Sequence, residues 1–365
     1  MGKTTPPKKS VGKKVFNNTE FKKSLGLTEQ VVKDKDLSWI PFKKGFHDAT
    51  GLPGVPRGYT TQFRGFSDVG KSTGIYETIA GAQKLGDYIV IYDTEKSFDW
   101  DHARLVGFKF EDVYSDEGKV INHVGEDFMY SDGSDLLEMY GNFDYKETKM
   151  KTTRLRHVPV VEDVAKSMND ILDAQQNGDL DANITFVWDS IGSLGCFQSA
   201  MSNSANNQWT AGALKRSFES ILNFRIPVSR RENSKYINTF VTVQKIWLRP
   251  NAIGQPTIMH NGGEGFKYGV RLIVHMGGKT GSSSKKLDAV SGGKKYNFGV
   301  LTAIEVVKNH VNGIEMMGKI CSTPHGFLNP DEKNDYVKAN NEFINKQLGT
   351  NFEDFDVEVE EGEDD

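Results

Sequence analysis

The chain has 365 residues, enough to bury one large α/β core with small additions, and its 37% hydrophobic and 26% charged content is that of a soluble globular protein. No apolar run approaches the roughly 20 residues of a membrane helix and no signal-peptide core opens the chain, while two cysteines, Cys196 and Cys321, exclude a disulfide framework. A reduced, cytoplasmic setting without membrane contact is expected. Net charge is −4 but unevenly spread, with Lys3, Lys8, Lys9, Lys13 and Lys14 at the start and nine carboxylates from Glu353 to Asp365. The body is neutral between a basic arm (1–18) and an acidic tail (351–365), both expected to be disordered.

In chain order, Thr19 to Lys33 has a helical pattern and Trp39, Ile40 and Phe42 begin a strand. A turn-rich lead-in, Gly51 to Gly58, delivers the chain to an extended run, Tyr59 to Arg64. Gly65-Phe66-Ser67-Asp68-Val69-Gly70-Lys71-Ser72 follows, then a helix-like run from Thr73. Gly-x-x-x-x-Gly-Lys-Ser between a strand and a helix predicts a phosphate-binding loop. Its glycines let backbone N–H groups turn onto phosphates, and the helix N-terminus adds a positive dipole end. Lys71 supplies the cation, and Ser72, beside Thr73, holds Mg²⁺ by its hydroxyl. Asp68 is a carboxylate inside an anion-binding loop and must point away from the phosphates.

Tyr88 to Tyr92 reads as a strand ending in the acidic run Asp93 to Asp99, where parallel α/β sheets place their sites, and Asp101 to Gly107 as a short helix. From Asp116 to Arg156 the chain is polar and poor in pattern, and reads as an insertion of hairpins. Val160 to Gln176 is an amphipathic helix opened by Pro159. Ile184 to Asp189 is a buried strand ending in Asp, the pattern of a carboxylate that holds the Mg²⁺ water shell. Gly195 to Ala213 reads as a small-residue loop, and Leu214 to Phe224 as a helix. Tyr236 to Gln244 is a strand, Lys245 to Gly265 a mobile loop, Lys267 to Met276 a strand, Lys279 to Lys295 a turn and Leu301 to His310 a strand. Gly326 to Leu348 closes with a small helix.

Four landmarks resemble the RecA-type recombinases and their phage relatives of the UvsX kind. They are the lead-in Gly51 to Gly58, the segment Tyr92 to Gly107, the triplet Trp188-Asp189-Ser190, and the pair Gly262 to Leu272 with Val306 to His310. The resemblance covers roughly residues 45 to 315. It implies a RecA-like P-loop ATPase core with a mostly parallel central sheet flanked by helices, over 51–315 with an insertion at 116–156. It further implies an N-terminal oligomerisation element at 19–50 and a small C-terminal extension at 316–350.

By the same resemblance, Glu95 is the general base that orients the attacking water, Asp99 accepts from the adenine amino group, and His102 stacks on the base. Gln244 senses the γ-phosphate through an amide that bonds either phosphate or backbone. Lys308 reaches across a subunit interface to stabilise transition-state charge, with His310 as its companion. Two loops, Gly195 to Ala213 and Lys245 to Gly265, contact DNA, with Arg249 and Lys267 nearby and Trp247 wedging or stacking; Trp209 either joins them or packs in the core. The implied protein uses ATP and Mg²⁺, polymerises as a helical homo-oligomeric filament on single-stranded DNA, and pairs it with homologous duplex DNA. A loader and a single-strand-binding protein are further partners, and the setting is a bacterial or phage-infected cell. A hexameric replicative helicase-type motor and a nucleotide-regulated DNA-binding scaffold are the rivals.

Overall fold

A computed structural model describes residues 17–24, 26, 33–141, 156–202, 206–250, 254–260, 263–278 and 284–360. The chain divides into two compact units, Met1–Asp34 and Lys35–Asp365. In the first, the described helix is α1 (Asn18–Ser24), and of the stretch expected to be helical to Lys33, residues 25 and 27–32 lie outside the described set, as do the arm lysines.

The second unit begins with β1 (Trp39–Pro41), α2 (Lys44–Thr50), β2 (Gly54–Pro56), β3 (Thr60–Gly65), α3 (Lys71–Lys84), β4 (Tyr88–Asp93) and α4 (Trp100–Val106). Then come β5 (Glu111–Tyr114), β6 (Val120–Val124), β7 (Phe128–Ser131), α5 (Ser134–Tyr140), α6 (Val161–Asn177), β8 (Ile184–Asp189), α7 (Phe197–Ser202) and α8 (Asn207–Ser220). A π-turn (Ile221–Arg225) and α9 (Ile226–Val228) lead to β9 (Thr239–Pro250), β10 (Pro256–His260), α10 (Gly263–Gly269) and β11 (Leu272–Met276). The end of the chain supplies β12 (Lys285–Ser291), β13 (Lys294–Asn309), β14 (Met317–Thr323), β15 (Gly326–Leu328), α11 (Lys333–Ala339), α12 (Asn341–Leu348) and β16 (Asp356–Val359).

These build a 12-stranded sheet whose spine runs β7-β4-β8-β9-β3-β11-β13-β14-β15. From β7 to β11 every neighbour is parallel, and from β11 onward every pairing is antiparallel. The sheet is therefore mixed, with its parallel half carrying the glycine-rich loop. Alternation along the strands gives each face its own core. Phe63, Val241, Val243, Val274 and Ile91 pack with Ile75 and Ile79 of α3, while Phe186, Trp188, Phe240 and Ile273 pack with α6, α8 and Phe266 of α10. A third core, with Leu287, Phe298, Tyr336 and Ile344, joins β12 and β13 to α11.

Several expected boundaries move. Lys267 to Met276 is not one strand: Phe266 is buried against α8, which makes Gly263–Gly269 a helix, and only Leu272–Met276 enters the sheet. The expected loop Gly195 to Ala213 is mostly helical, because Asn206 accepts the N–H groups of Gln208 (2.9 Å) and Trp209 (3.3 Å) and so starts α8. Lys245 to Gly265 is largely a β-ribbon, Trp247 facing Met259 and Arg249 facing Thr257; residues 251–253 and 261–262 are outside the described set. In the stretch read as a turn, β12 pairs along β13 from Lys285 to Ser291. Of the insertion at 116–156, β6 completes a hairpin with β5, whereas β7 extends the main sheet beside β4, and residues 142–155 are not described. Part of the tail expected to be disordered is a strand: Asp356–Val359 pairs with β12, turning Val357 and Val359 to the third core and Asp356 and Glu358 outward, and residues 361–365 lie outside the described set.

Both cysteines are buried and free. Among the described residues no helix is long and apolar enough to cross a membrane.

Candidate functional site

The site forms where β3, β4 and β8 end side by side, next to the middle of β9. Gly65 closes β3, and an added Cβ would lie 2.2 Å from the Met276 carbonyl, so only glycine fits between the two strands. Gly70 is left-handed (φ 86°) and starts α3, its Cα pressed against Ser322, where a Cβ would meet the hydroxyl at 1.9 Å. Asp68 is also left-handed (φ 57°) and exposed, as are Ser67 and Ser72, while Val69 and Thr73 are buried and Phe66 half-buried. The Lys71 ammonium donates to the Phe66 carbonyl, so the loop closes on its own lysine. Burial holds the Lys71 amine below its ordinary pKa, and Asp189, Glu95 and Asp68 pull it back toward the charged form.

Asp189 ends β8 directly beside Asp93 at the end of β4. Burial, then repulsion from Glu95 and Asp93, pushes the Asp189 carboxyl up to about 7, with Lys71 and the Ser72 hydroxyl opposing. Ser72 and Asp189 thus lie close to each other, and together present a hydroxyl and a carboxylate, the oxygen donors that suit Mg²⁺. The excess of carboxylate around them fits a cation at this point. Asp93 serves the turn instead, accepting from Ser97 N (3.1 Å), Phe98 N (2.9 Å) and Tyr130 Oη (2.9 Å), which folds the segment carrying Glu95. Glu95 is exposed on that turn and accepts the Ser190 hydroxyl.

Asp99 caps α4 by accepting His102 N at 2.9 Å, while its own N–H donates to Tyr76 Oη at 2.9 Å. The His102 ring lies 4.4 Å from the Tyr76 ring, with Nε2 3.2 Å from the Thr323 carbonyl, and burial lowers its pKa. Gln244 is buried on β9, opposite Arg64 in the parallel register. The structure therefore brings together Lys71, Ser72, Glu95 and Asp189, with Gln244 on the adjacent strand β9 and Asp99 and His102 beside Tyr76.

The remaining expected residues lie apart from this cluster. Lys308, on β13, donates from Nζ to the carbonyls of Lys267 (3.0 Å) and Tyr268 (3.4 Å), at the C-terminal end of α10. His310 is exposed just beyond it. Arg249 and Trp247 project from the β9–β10 ribbon, Trp247 being 37% exposed, whereas Trp209 packs at the edge of the α8 core. Tyr76 and Thr323, which border His102, were not singled out from sequence. Tyr76 reads as one more apolar position of a helix, and Thr323 belongs to a strand more than 200 positions away.

Fold and cluster define an α/β architecture consistent with a RecA-like core, with the glycine-rich loop at the C-terminal edge of its parallel strands. No family model matches the chain. It is similar to curated proteins named Protein RecA: 30% identical over 116 residues to that of Parvibaculum lavamentivorans, covering 31% of each chain. The identity is 33% over 92 residues for Aquifex aeolicus (24% of this chain, 27% of that protein) and 36% over 87 residues for Ureaplasma parvum (24% and 26%). The chain thus matches about a third or less of the length of these relatives.

Proposed function

We propose that the protein is an ATP-dependent DNA strand-exchange protein of the phage UvsX-like kind, which polymerises on single-stranded DNA and hydrolyses ATP between subunits. The observation that carries the reading is the convergence of Lys71, Ser72, Asp189 and Glu95 at one end of the parallel sheet, on a chain similar in part to proteins named RecA. The loop N–H groups and Lys71 bind the triphosphate, and Ser72 and Asp189 hold Mg²⁺. The ion, when bound, neutralises charge developing on the phosphates. Glu95 orients the attacking water and accepts its proton. Gln244 reads the terminal phosphate, and Lys308 of a neighbouring subunit stabilises the transition state. His102 stacks on the adenine and Asp99 accepts from its amino group.

DNA is held by the β9–β10 ribbon through Trp247 and Arg249, with Lys267 nearby. Division into an oligomerisation element before residue 51, a core to 315 and a C-terminal extension belongs to the same reading. Negative-stain microscopy with single-stranded DNA and a slowly hydrolysed ATP analogue tests it. Helical filaments are expected; closed rings would favour a helicase-type motor, and no assembly would favour a nucleotide-regulated scaffold.

A further inference from the structure

Glu95 sits on an exposed turn, where a glutamate side chain has three rotatable torsions and samples many positions unless something holds it. The group that meets it is the Ser190 hydroxyl, which donates to Oε1 from a residue only 2% exposed. Ser190 is itself anchored. Its carbonyl accepts the Ser193 hydroxyl at 2.8 Å, and Ser193 Oγ lies 2.6 Å from Thr94 Oγ1, which also accepts Trp188 Nε1 at 2.9 Å. The Asp189 carbonyl accepts the backbone N–H of Thr94 (2.8 Å) and of Glu95 (3.4 Å), lacing the ends of β4 and β8 together. On the other side, Ile191 N donates to the Val243 carbonyl at 3.0 Å, one residue before Gln244.

We propose that Ser190 is a positioning residue: its hydroxyl fixes the Glu95 carboxylate, and through Ile191 ties that position to the part of β9 that carries Gln244. This rests on the reading of Glu95 as the base for ATP hydrolysis. A donor locked by the backbone on both sides orders the carboxylate before the water arrives, so its benefit falls on turnover rather than on nucleotide binding. A shift of β9 at Gln244 reaches Glu95 through two hydrogen bonds.

The test uses the full chain with saturating single-stranded DNA. In Ser190→Ala, kcat for ATP hydrolysis should fall about 10- to 100-fold, while KM and the affinity for a fluorescent ATP analogue stay within about threefold. Should Ser190→Ala not fold, Ser190→Cys keeps the volume but donates only weakly and should show the same split. In a Glu95→Gln background the Ser190 substitution should add no further loss, because it has no catalytic carboxylate left to place. An unchanged kcat, an equal loss of analogue affinity, or a full additional loss in the Glu95→Gln background overturns the proposal. If Glu95→Gln alone turns over at the unsubstituted rate, the assignment of the base itself has failed, whatever Ser190 does.

Discussion

The carboxylate of Glu77, on the helix that follows the glycine-rich loop, accepts the backbone N–H of Phe327 at 2.9 Å across a separation of 250 residues. It also accepts Lys43 N at 3.2 Å, and Gly326 is left-handed (φ 108°) beside it, where a Cβ would come within 2.2 Å of Glu77 Oε1. One buried acid thus docks the loop helix on the β14–β15 turn, which in turn touches His102 through Thr323. Burial raises the Glu77 pKa, with the Phe327 N–H and the Lys43 charge opposing. Glu77→Ala strands two N–H donors and should cost about 1–3 kcal/mol for each that water does not reach. Gly326→Ala, strained in both backbone and contact, should lower the urea midpoint as well. A midpoint for Glu77→Ala equal to that of the unsubstituted protein would refute the docking role.

Because Asp189 has a folded-state value of about 7 against 3.8 for the free group, the folded protein binds that proton more tightly than the unfolded chain does. The sign follows: its contribution is fully present below about pH 4 and is lost as pH rises to about 7. Asp189→Asn, neutral at every pH, should flatten this part of the stability profile and stabilise the Mg²⁺-free protein above about pH 7. Urea unfolding in a chelator across that range checks it. An equally steep fall in the variant would place the linkage elsewhere.

Lys71→Ala should abolish binding of a fluorescent ATP analogue and DNA-stimulated hydrolysis, with little change in melting temperature. The hydrogen bond that Lys71 makes in the structure is to one carbonyl of its own loop, so its removal breaks no bond to another element, and the charge it takes from beside Asp189 is offset by that buried carboxyl taking up a proton more readily. Calorimetry beside the binding assay separates lost binding from lost folding. Retained hydrolysis would sink the phosphate-loop assignment.

Lys308→Ala should remove DNA-stimulated hydrolysis, and mixing it with Glu95→Gln subunits should restore part of the rate, since a mixed interface can pair one intact Glu95 with one intact Lys308. Within the chain its ammonium caps α10. If that cap is its whole role, the variant loses stability and no mixing ratio restores turnover.

The tail divides into two parts with separable effects. Removing 361–365 should leave the melting temperature unchanged, whereas removing 351–365 takes away β16, which covers the edge of β12, and should lower it. The shorter deletion is therefore the cleaner measure of whether the carboxylates compete with duplex DNA. Competition predicts higher duplex affinity at low salt, converging with the full chain as salt rises.

Where pattern was local, sequence and structure agree closely. Tyr88–Asp93 and Ile184–Asp189 are largely apolar runs that end in Asp and Val161–Asn177 carries a helical stripe, while the helix expected from Asp101 starts one residue earlier, at Trp100, because Asp99 caps it. The glycine-rich loop was visible because a turn into a helix N-terminus needs glycine at fixed spacing.

The chain alone thus determined the loop, the acidic ends of two strands and the helices flanking them, all set by contacts a few residues long. Only tertiary structure decided which strands lie beside one another, and so which carboxylates meet Lys71. It also decided that Gly263–Gly269 coils while Leu272–Met276 extends, because Phe266 finds a pocket on α8. The same reason applies to Asp356–Val359: like charges favour an open chain, but two valines alternating with acids pair with a free sheet edge once β12 is in place. That edge, like the Ser190 hydroxyl on Glu95 and the Glu77 carboxylate on Phe327, exists only after distant segments have packed.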